Sequence, residues 1–169
     1  MASKITQRIT PFLWFDDQAE EAAKFYTSIF KDSKITAVAR YPEAATEVAS
    51  GKQPGSVMTV AFELRGRPFV ALNGGPLFRF NEAISLQIEC ETQEEVDHYW
   101  AKLCEGGDPT AQRCGWLKDK FGVSWQVIPS GLCELLIDPD PKRSDRAFRA
   151  MLKLTKLDGA TLRRAADGE

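Results

Sequence analysis

Near the start of the chain, the hydrophobic pattern changes from strand-like to helical. Residues from Ile9 to Phe15 carry apolar side chains on both alternating sets, which predicts a strand with two apolar faces. From Ala19 to about Phe30 the apolar residues recur every three or four positions, which predicts a helix. Asp17 with Glu20 three positions later matches a capping box, so we expect the helix to begin there.

The same order of strand and helix returns 74 residues further along the chain. A strand is predicted from Ile84 to Cys90 and a helix from about Gln93 to Cys104, with Thr92 and Glu95 as its capping pair. The matched helix positions are Glu20 with Glu94, Glu21 with Glu95, Phe25 with Tyr99, Tyr26 with Trp100 and Ile29 with Leu103. This self-similarity indicates an internal duplication.

Further strands are predicted after each helix. They cover residues 34–41, 56–64 and 67–72 in the first half, and 111–114, 115–118 and 123–129 in the second half. Each half therefore has the order β-α-β-β-β. The predicted fold class is α+β, a single domain in which two tandem modules, residues 5–75 and 82–130, form a cupped mixed sheet. A helical extension over residues 136–169 follows, with helical spacing at Phe148, Met151, Leu152 and Leu154 and a second short helix near residues 160–166.

One helix can cover only one face of its sheet, so we expect the two remaining faces to enclose a cavity between the modules. Phe12 and Trp14 would line that cavity, although ordinary core packing explains these two side chains equally well. In the last predicted strand, alternation directs Ser124, Gln126 and Ile128 towards the cavity.

The segment "DKFGVSW" at residues 119–125 is predicted to form a hairpin turn before the last strand. Gly122 suits a turn that needs a positive φ. The turn is therefore expected to be structural, whereas the polar residues of the strand after it could contact a ligand.

Composition and charge restrict the class of function. The chain has 169 residues, 43% hydrophobic and 27% charged, with a formal net charge of −2. This is typical of a soluble globular protein and gives no basic surface for nucleic acid. The chain contains neither an apolar run long enough to span a membrane nor a signal-peptide pattern, so we expect no membrane partner and a cytoplasmic location.

Cysteine and histidine give little support for a metal site. The four cysteines, Cys90, Cys104, Cys114 and Cys133, include no C-x-x-C pair, and His98 is the only histidine. We expect the cysteines to be mostly buried thiols and His98 to lie on the surface of the second helix.

Three segments of the chain resemble a known family. They are "ITPFLWFDDQAEEAAKFYTSIF", "ALNGGPLFRFNEAISLQIEC" and "CGWLKDKFGVSWQVIP". They are similar to the PhnB-like branch of the vicinal oxygen chelate superfamily, which includes glyoxalase I, extradiol dioxygenases and bleomycin-resistance proteins. Members of this branch are often labelled 3-demethylubiquinone-9 3-methyltransferase. The resemblance covers most of residues 5–165 and implies a homodimer.

Metal enzymes of this superfamily bind their ion with His or Glu side chains on four strands. An approximate strand alignment places Thr10, Asn73, Ser85 and Gln126 at those positions. Neutral hydroxyl and amide groups hold a divalent ion poorly, so we expect neither a metal nor another cofactor.

The predicted ligand-binding residues are Thr10, Phe12, Trp14, Asn73, Phe78, Arg79, Phe80, Ser85, Gln87, Trp116 and Gln126. The amides would orient a carbonyl or phenol group, and the aromatic residues would supply apolar area or simply pack. The segment from Asn73 to Asn81 could approach an anion through Arg79 or serve only as a linker.

Glu89 is the candidate catalytic residue. The strand parity directs it into the cavity, where apolar surroundings would disfavour its charged form and make it a useful base. The alternative is that Glu89 lies at the wet end of its strand or pairs with a basic residue such as Arg79.

Two functions are therefore predicted, with a third suggested by the family label. The first is binding of a small, aromatic or quinone-like molecule without a catalytic metal. The alternatives are a metal-independent enzyme that uses Glu89 as base, or a methyltransferase. Methyl transfer from S-adenosylmethionine in the common doubly wound fold needs a glycine-rich turn after the first strand, but residues 15–18 contain no glycine.

Overall fold

The computed structural model describes residues 9–47 and 51–169. Residues 5–8 of the predicted first module lie outside the described residues. The chain divides into two compact units between Arg79 and Phe80. Within the described residues, no helix is both long enough and apolar enough to cross a membrane.

In its described residues, the first unit contains one four-stranded sheet and one α-helix. Its elements are β1 (Phe12–Phe15), α1 (Ala19–Ile29), β2 (Lys34–Arg40), a 3-10 helix (Glu43–Glu47), β3 (Val57–Leu64) and β4 (Arg67–Asn73). The strand order is β1-β4-β3-β2. β1 is parallel to β4, whereas the other neighbours are antiparallel.

The second unit repeats this arrangement and adds three helices. Its elements are β5 (Leu86–Cys90), α2 (Gln93–Cys104), β6 (Asp108–Arg113), β7 (Trp116–Lys118), β8 (Ser124–Pro129), α3 (Leu132–Leu136), α4 (Pro141–Lys153) and α5 (Gly159–Asp167). The strand order β5-β8-β7-β6, again with a parallel first pair, matches that of the first sheet. The predicted α+β class with two tandem β-α-β-β-β modules is confirmed.

Each sheet has one face covered by its helix and one face that its helix leaves open. In the first sheet, the helix-covered face carries buried residues, among which Phe62 stacks on Tyr26 of α1 with ring centroids 6.1 Å apart. Because side chains alternate along a strand, the opposite set forms what we call the open face of the first sheet. Its members are Phe12, Trp14, Ala37, Ala39, Thr59, Ala61, Val70 and Leu72, with Lys34, Glu63 and Pro68 at one end.

The two long module helices begin differently. Thr92 caps α2 by accepting a hydrogen bond from the Glu95 backbone N–H at 3.3 Å, as the capping pattern predicted. The prediction for α1 was wrong, because Gln18 occupies the N-cap position and makes no side-chain capping bond. Instead, the amide oxygen of Asn73 accepts from the Ala19 N–H at 2.8 Å.

The C-terminal helices pack onto the second sheet. Ile128 of β8 shares a buried apolar cluster with Leu132, Leu157 and Leu162. The backbone of the extension also bonds to the turn between β6 and β7, where the Gly115 N–H donates to the Thr155 carbonyl at 2.9 Å. The extension is therefore an integral part of the second unit. The short helix α3 was not predicted.

Candidate functional site

Apart from the Lys34–Glu63 ion pair at one end, the open face of the first sheet is largely apolar and contains several small side chains. One row across the strands consists of Phe12, Val70, Ala61 and Ala37, and the next consists of Trp14, Leu72, Thr59 and Ala39. Phe12 is 62% exposed, and Trp14 is half-buried. An apolar surface bordered by two aromatic side chains is suited to the face of a planar molecule.

Trp14 is held in one orientation by three neighbours. Its indole Nε1–H donates to the Gly75 carbonyl at 2.8 Å, and Phe78 meets its ring edge to face at 4.9 Å between centroids. Gly74 lies so close to the ring that any β-carbon there would overlap it. The "NGGP" turn thus fixes the Trp14 ring, which is a role that the sequence did not reveal.

Asn73 does not lie on the open face, which corrects its expected orientation. It is 6% exposed on the helix-covered face. Its oxygen caps α1, and its Nδ2 donates to the Val57 carbonyl at 3.0 Å. The register pairs Asn73 with Phe15, a buried residue of the same face. Asn73 therefore joins β4, α1 and β3.

The remaining site residues of the first unit lie at its margin. Thr10 precedes β1 with the parity of Phe12 and is half-buried. Phe78 and Arg79 are exposed in the segment after β4. Ligand contacts by these residues remain predictions.

The open face of the second sheet is polar, in contrast to that of the first. Gln87, Gln126 and Trp116 form its middle row, and Ser124 lies beside Lys118 in the next row. The Gln126 Nε2 donates to the Ser85 Oγ at 2.8 Å. Phe80 is half-buried and lies near Gly122, about 3.9 Å from the place of a β-carbon there.

Ser124 is the residue of this face that the sequence did not single out as a site. Alternation correctly directed it to the same face as Gln126, but its burial carried no sequence signal. Ser124 is 3% exposed, and its Oγ has no hydrogen-bond partner among the described residues. Such orphaned buried groups are rare in folded proteins.

Glu89 lies on the open face of the second sheet beside Ile128 and is exposed. An exposed position does not provide the enclosed apolar surroundings on which its predicted role as a base depended. The role of Glu89 as a catalytic base stays a prediction.

The hairpin before β8 is structural, as its sequence predicted. The buried Asp119 carboxylate accepts from the Phe121 N–H at 2.9 Å, from the Val123 N–H at 3.0 Å and from the Trp125 Nε1–H at 2.8 Å. Gly122 has a φ of +87°, which the turn requires. The hairpin therefore anchors the start of β8.

The donor groups on these faces do not resemble a metal centre. Within residues 9–47 and 51–169, no three His, Cys, Asp or Glu side chains lie close enough together to hold an ion. Ser85 and Gln126 are in contact, but hydroxyl and carboxamide groups are weak ligands for a transition metal.

Two surface hollows of the first unit are lined by charged residues. One of about 580 Å³ lies at the turns flanked by Lys34, Glu63 and Arg65. Another of about 380 Å³ lies at the start of α1, next to Asp17 and Lys52. The first hollow borders the charged Lys34–Glu63 end of the open face, and neither hollow is lined by the aromatic or alanine residues of that face, so neither suits an aromatic ligand.

A comparison with known protein families shows to which family the chain belongs. The family described as 3-demethylubiquinone-9 3-methyltransferase matches residues 7–128, which is more than half of the chain. The chain belongs to this family. It is PhnB-like, and it carries the extension beyond the matched residues.

Solved structures agree with this membership. The PhnB protein of Bacillus cereus, which carries the same family label, is 38% identical, with a TM-score of 0.61 over 73% of this chain and 100% of its own. Protein PA1353 from Pseudomonas aeruginosa is 19% identical, with a TM-score of 0.56 over 73% and 98% of the two chains. The fosfomycin resistance protein FosX from Listeria monocytogenes is 14% identical, with a TM-score of 0.51 over 78% and 97%. The last two show a shared fold. No curated protein matches the chain.

Proposed function

We propose that this PhnB-like protein binds a small aromatic or quinone-like molecule and does so without a catalytic metal. The observation that carries the proposal is the fixed Trp14 ring at the border of an apolar sheet face. An aromatic side chain that is already held in place loses little conformational entropy when a ligand packs against it.

The chemistry of the open face supports a flat ligand. The small side chains Ala61, Ala37 and Ala39 lie on β3 and β2. Phe12 and Trp14 stand at the opposite edge on β1, with Val70 and Leu72 of β4 between them and the small residues. A ring system lying on Val70 and Leu72 would contact the aromatic side chains of β1 at its edge. The family description names a demethylubiquinone, which is a molecule with such a ring. A position in a cavity between the modules stays a prediction.

The two alternative activities gain less support from the site. The turn between β1 and α1 consists of Asp16, Asp17 and Gln18 and contains no glycine. In the common doubly wound fold, glycine at this turn lets the backbone come close to the bound nucleotide. Methyl transfer would therefore need another way of binding its methyl donor. Catalysis by Glu89 would need a ligand beside an exposed carboxylate.

Calorimetric titration with 2-naphthol tests the proposal. We expect binding to the unmodified protein, and a rise in Kd of about tenfold for Trp14→Ala because stacking and apolar contact are lost. Trp14→Phe should retain most of the affinity. Phe148→Ala, which removes a half-exposed aromatic side chain from α4, is the matched control and should leave Kd unchanged.

The proposal would fail if 2-naphthol did not bind, or if Trp14→Ala and Phe148→Ala had equal effects. A homodimer and a cytoplasmic location are further parts of the proposal, and both rest on family resemblance and composition. Sedimentation velocity at micromolar concentration should show the dimer, and a monomer there would contradict it.

A further inference from the structure

The C-terminal extension exposes three large apolar side chains. Ile137 is 79% exposed, Phe148 is 46% exposed and Leu152 is 44% exposed. All three lie beyond residue 128, where the match to the family ends. Single exposed apolar residues are common on protein surfaces, whereas several that adjoin one another mark an interaction surface.

These three side chains follow one another along α4. Phe148 and Leu152 are four positions apart, so they lie on the same face of the helix in successive turns. The Ser144 hydroxyl, one turn before Phe148, donates to the Leu136 carbonyl at 2.7 Å, which brings the neighbouring Ile137 to the first turns of α4. We call Ile137, Phe148 and Leu152 the apolar stripe of the extension.

An exposed ion pair borders the apolar stripe. The Arg149 Nε–H donates to the Asp145 carboxylate at 2.7 Å, and both side chains are exposed. This hydrogen bond keeps the pKa of Asp145 below its ordinary value, so the carboxylate is ionised at neutral pH. Asp145 lies three positions before Phe148, and Arg149 lies three positions before Leu152, which are neighbouring positions on a helix surface. The face therefore carries an acidic and a basic group one turn apart beside its apolar side chains.

A face of this composition is complementary to a second copy of itself. If two α4 helices cross antiparallel about a two-fold axis near position 147, Asp145 of one copy lies opposite Arg149 of the second copy. Phe148 is next to that axis, so the two rings meet at the centre of the contact. A parallel crossing would bring like charges together, which is unfavourable. A different partner with one sign of charge would match only one of the two charged groups.

The size of the stripe predicts a contact of moderate strength. A stable interface usually buries at least about 1,200 Å² in total, and three partly exposed side chains per copy supply only part of that area. The charged groups are exposed, and such groups specify orientation more than they add affinity. We therefore expect a dissociation constant of about 1 µM.

We propose that two copies of this chain associate through the apolar stripe of the extension, with Asp145 and Arg149 setting the antiparallel orientation. This inference rests on the homodimer that is part of the proposed function, and it adds the surface that forms it. The interface then lies in the part of the chain that the family match leaves out.

Charge reversal tests the contact, with the dissociation constant of the dimer measured by sedimentation equilibrium. Arg149→Asp gives the face two acidic groups and Asp145→Arg gives it two basic groups, so each variant alone should associate about tenfold more weakly than the unmodified protein. An equimolar mixture of the two variants should regain most of the affinity, because opposite charges face each other again. Lys24→Asp, which breaks the exposed Glu20–Lys24 ion pair of the same spacing on α1, is the matched control and should have no effect.

The apolar part of the stripe is tested by Phe148→Ser. Loss of the two rings at the centre of the contact should raise the dissociation constant about tenfold. Val38→Ser, which changes a side chain of β2 that is exposed to a similar degree, is the control and should leave association unchanged. If Phe148→Ser did not fold, Leu152→Ser would serve for the same measurement.

Failure of the interface can be distinguished from failure of the proposed homodimer. A dimer that withstands both charge reversals and Phe148→Ser would overturn the stripe as the interface and leave the homodimer in place, and this is also the result expected if another protein covers the stripe. Failure of the mixed variants to associate would overturn the antiparallel contact. A monomer of the unmodified protein at every concentration would overturn the homodimer together with the interface. Titration with 2-naphthol tests the aromatic ligand separately from these outcomes.

Discussion

At the scale of single residues, Asp119 provides the strongest test of the hairpin. Its buried carboxylate accepts three hydrogen bonds, from two backbone N–H groups and from Trp125. Asp119→Ala would leave these three donors unpaired at a site that is 2% exposed. Since hydrogen bonds to charged groups contribute most, we expect a loss of about 3 kcal/mol in the free energy of unfolding. Urea denaturation would measure it.

Asp108→Ala is the matched control for this change. Asp108 makes a similar local turn with Thr110, but on the exposed edge of the sheet, so its loss should matter much less. Equal destabilisation by the two substitutions would contradict the role assigned to Asp119.

Residue roles could be predicted where the partners are close in sequence. Thr92 and Glu95 were identified from their spacing, and the structure confirms them. The cap of α1 was missed because its acceptor, Asn73, is 54 positions from Ala19, and local rules consider only neighbouring residues. The orientation of Ser124 followed from strand parity, whereas its unpaired hydroxyl depends on packing that no sequence pattern encodes.

At the scale of elements, Gly115 links the second sheet to the C-terminal extension. Its φ is +82°, and a β-carbon there would lie 2.8 Å from Leu157 Cδ1 and 3.0 Å from the Val127 carbonyl oxygen. Gly115→Ala would combine backbone strain with a clash against Leu157. We expect a loss of about 3 kcal/mol in the free energy of unfolding, measured in urea, and faster hydrogen exchange in α5.

Gly66→Ala separates the two causes. Gly66 has a φ of +77°, and nothing lies within 4 Å of its missing β-carbon. This variant should show only the backbone strain, about 1 kcal/mol. An equal loss in the free energy of unfolding for Gly66→Ala and Gly115→Ala would contradict the role of the Leu157 contact in packing the extension against the sheet.

Longer elements were predicted better than short ones. The helix from Gln93 to Cys104 was predicted with its observed bounds, because three turns give a clear apolar period. The helix at Leu132–Leu136 has five residues, too few to show that period. The same limit hid the 3-10 helix at Glu43–Glu47.

At the scale of the whole molecule, duplication was the most informative signal. Two helices matched at one offset predicted the same order of elements in both halves, which the structure confirms, and the strand order within the two sheets is also the same. The sequence could not show that the two open faces differ in chemistry. That contrast depends on which of the two alternating sets of side chains each helix covers. A shift of one position along a strand, as for Asn73, moves a side chain to the opposite face.

A further prediction at this scale concerns the metal content of the protein. Freshly purified protein should contain no stoichiometric zinc, nickel or iron by elemental analysis, and treatment with a chelator should leave the Kd for 2-naphthol unchanged. The reason is that the strand positions which resemblance assigns to metal ligands carry Thr10, Ser85 and Gln126, whose neutral oxygens compete poorly with water for such ions.

A gain-of-function variant sharpens this prediction. The contact between Ser85 and Gln126 brings both side chains within reach of one ion, so the double substitution Ser85→His and Gln126→Glu would present an imidazole and a carboxylate together. We expect this variant to bind nickel more tightly than the unmodified protein, because both groups are good ligands. One metal ion per chain in the unmodified protein, removed by chelation with loss of 2-naphthol binding, would contradict metal-independent binding. Equal nickel affinity in the two proteins would contradict the assignment of Ser85 and Gln126 to the superfamily's metal positions.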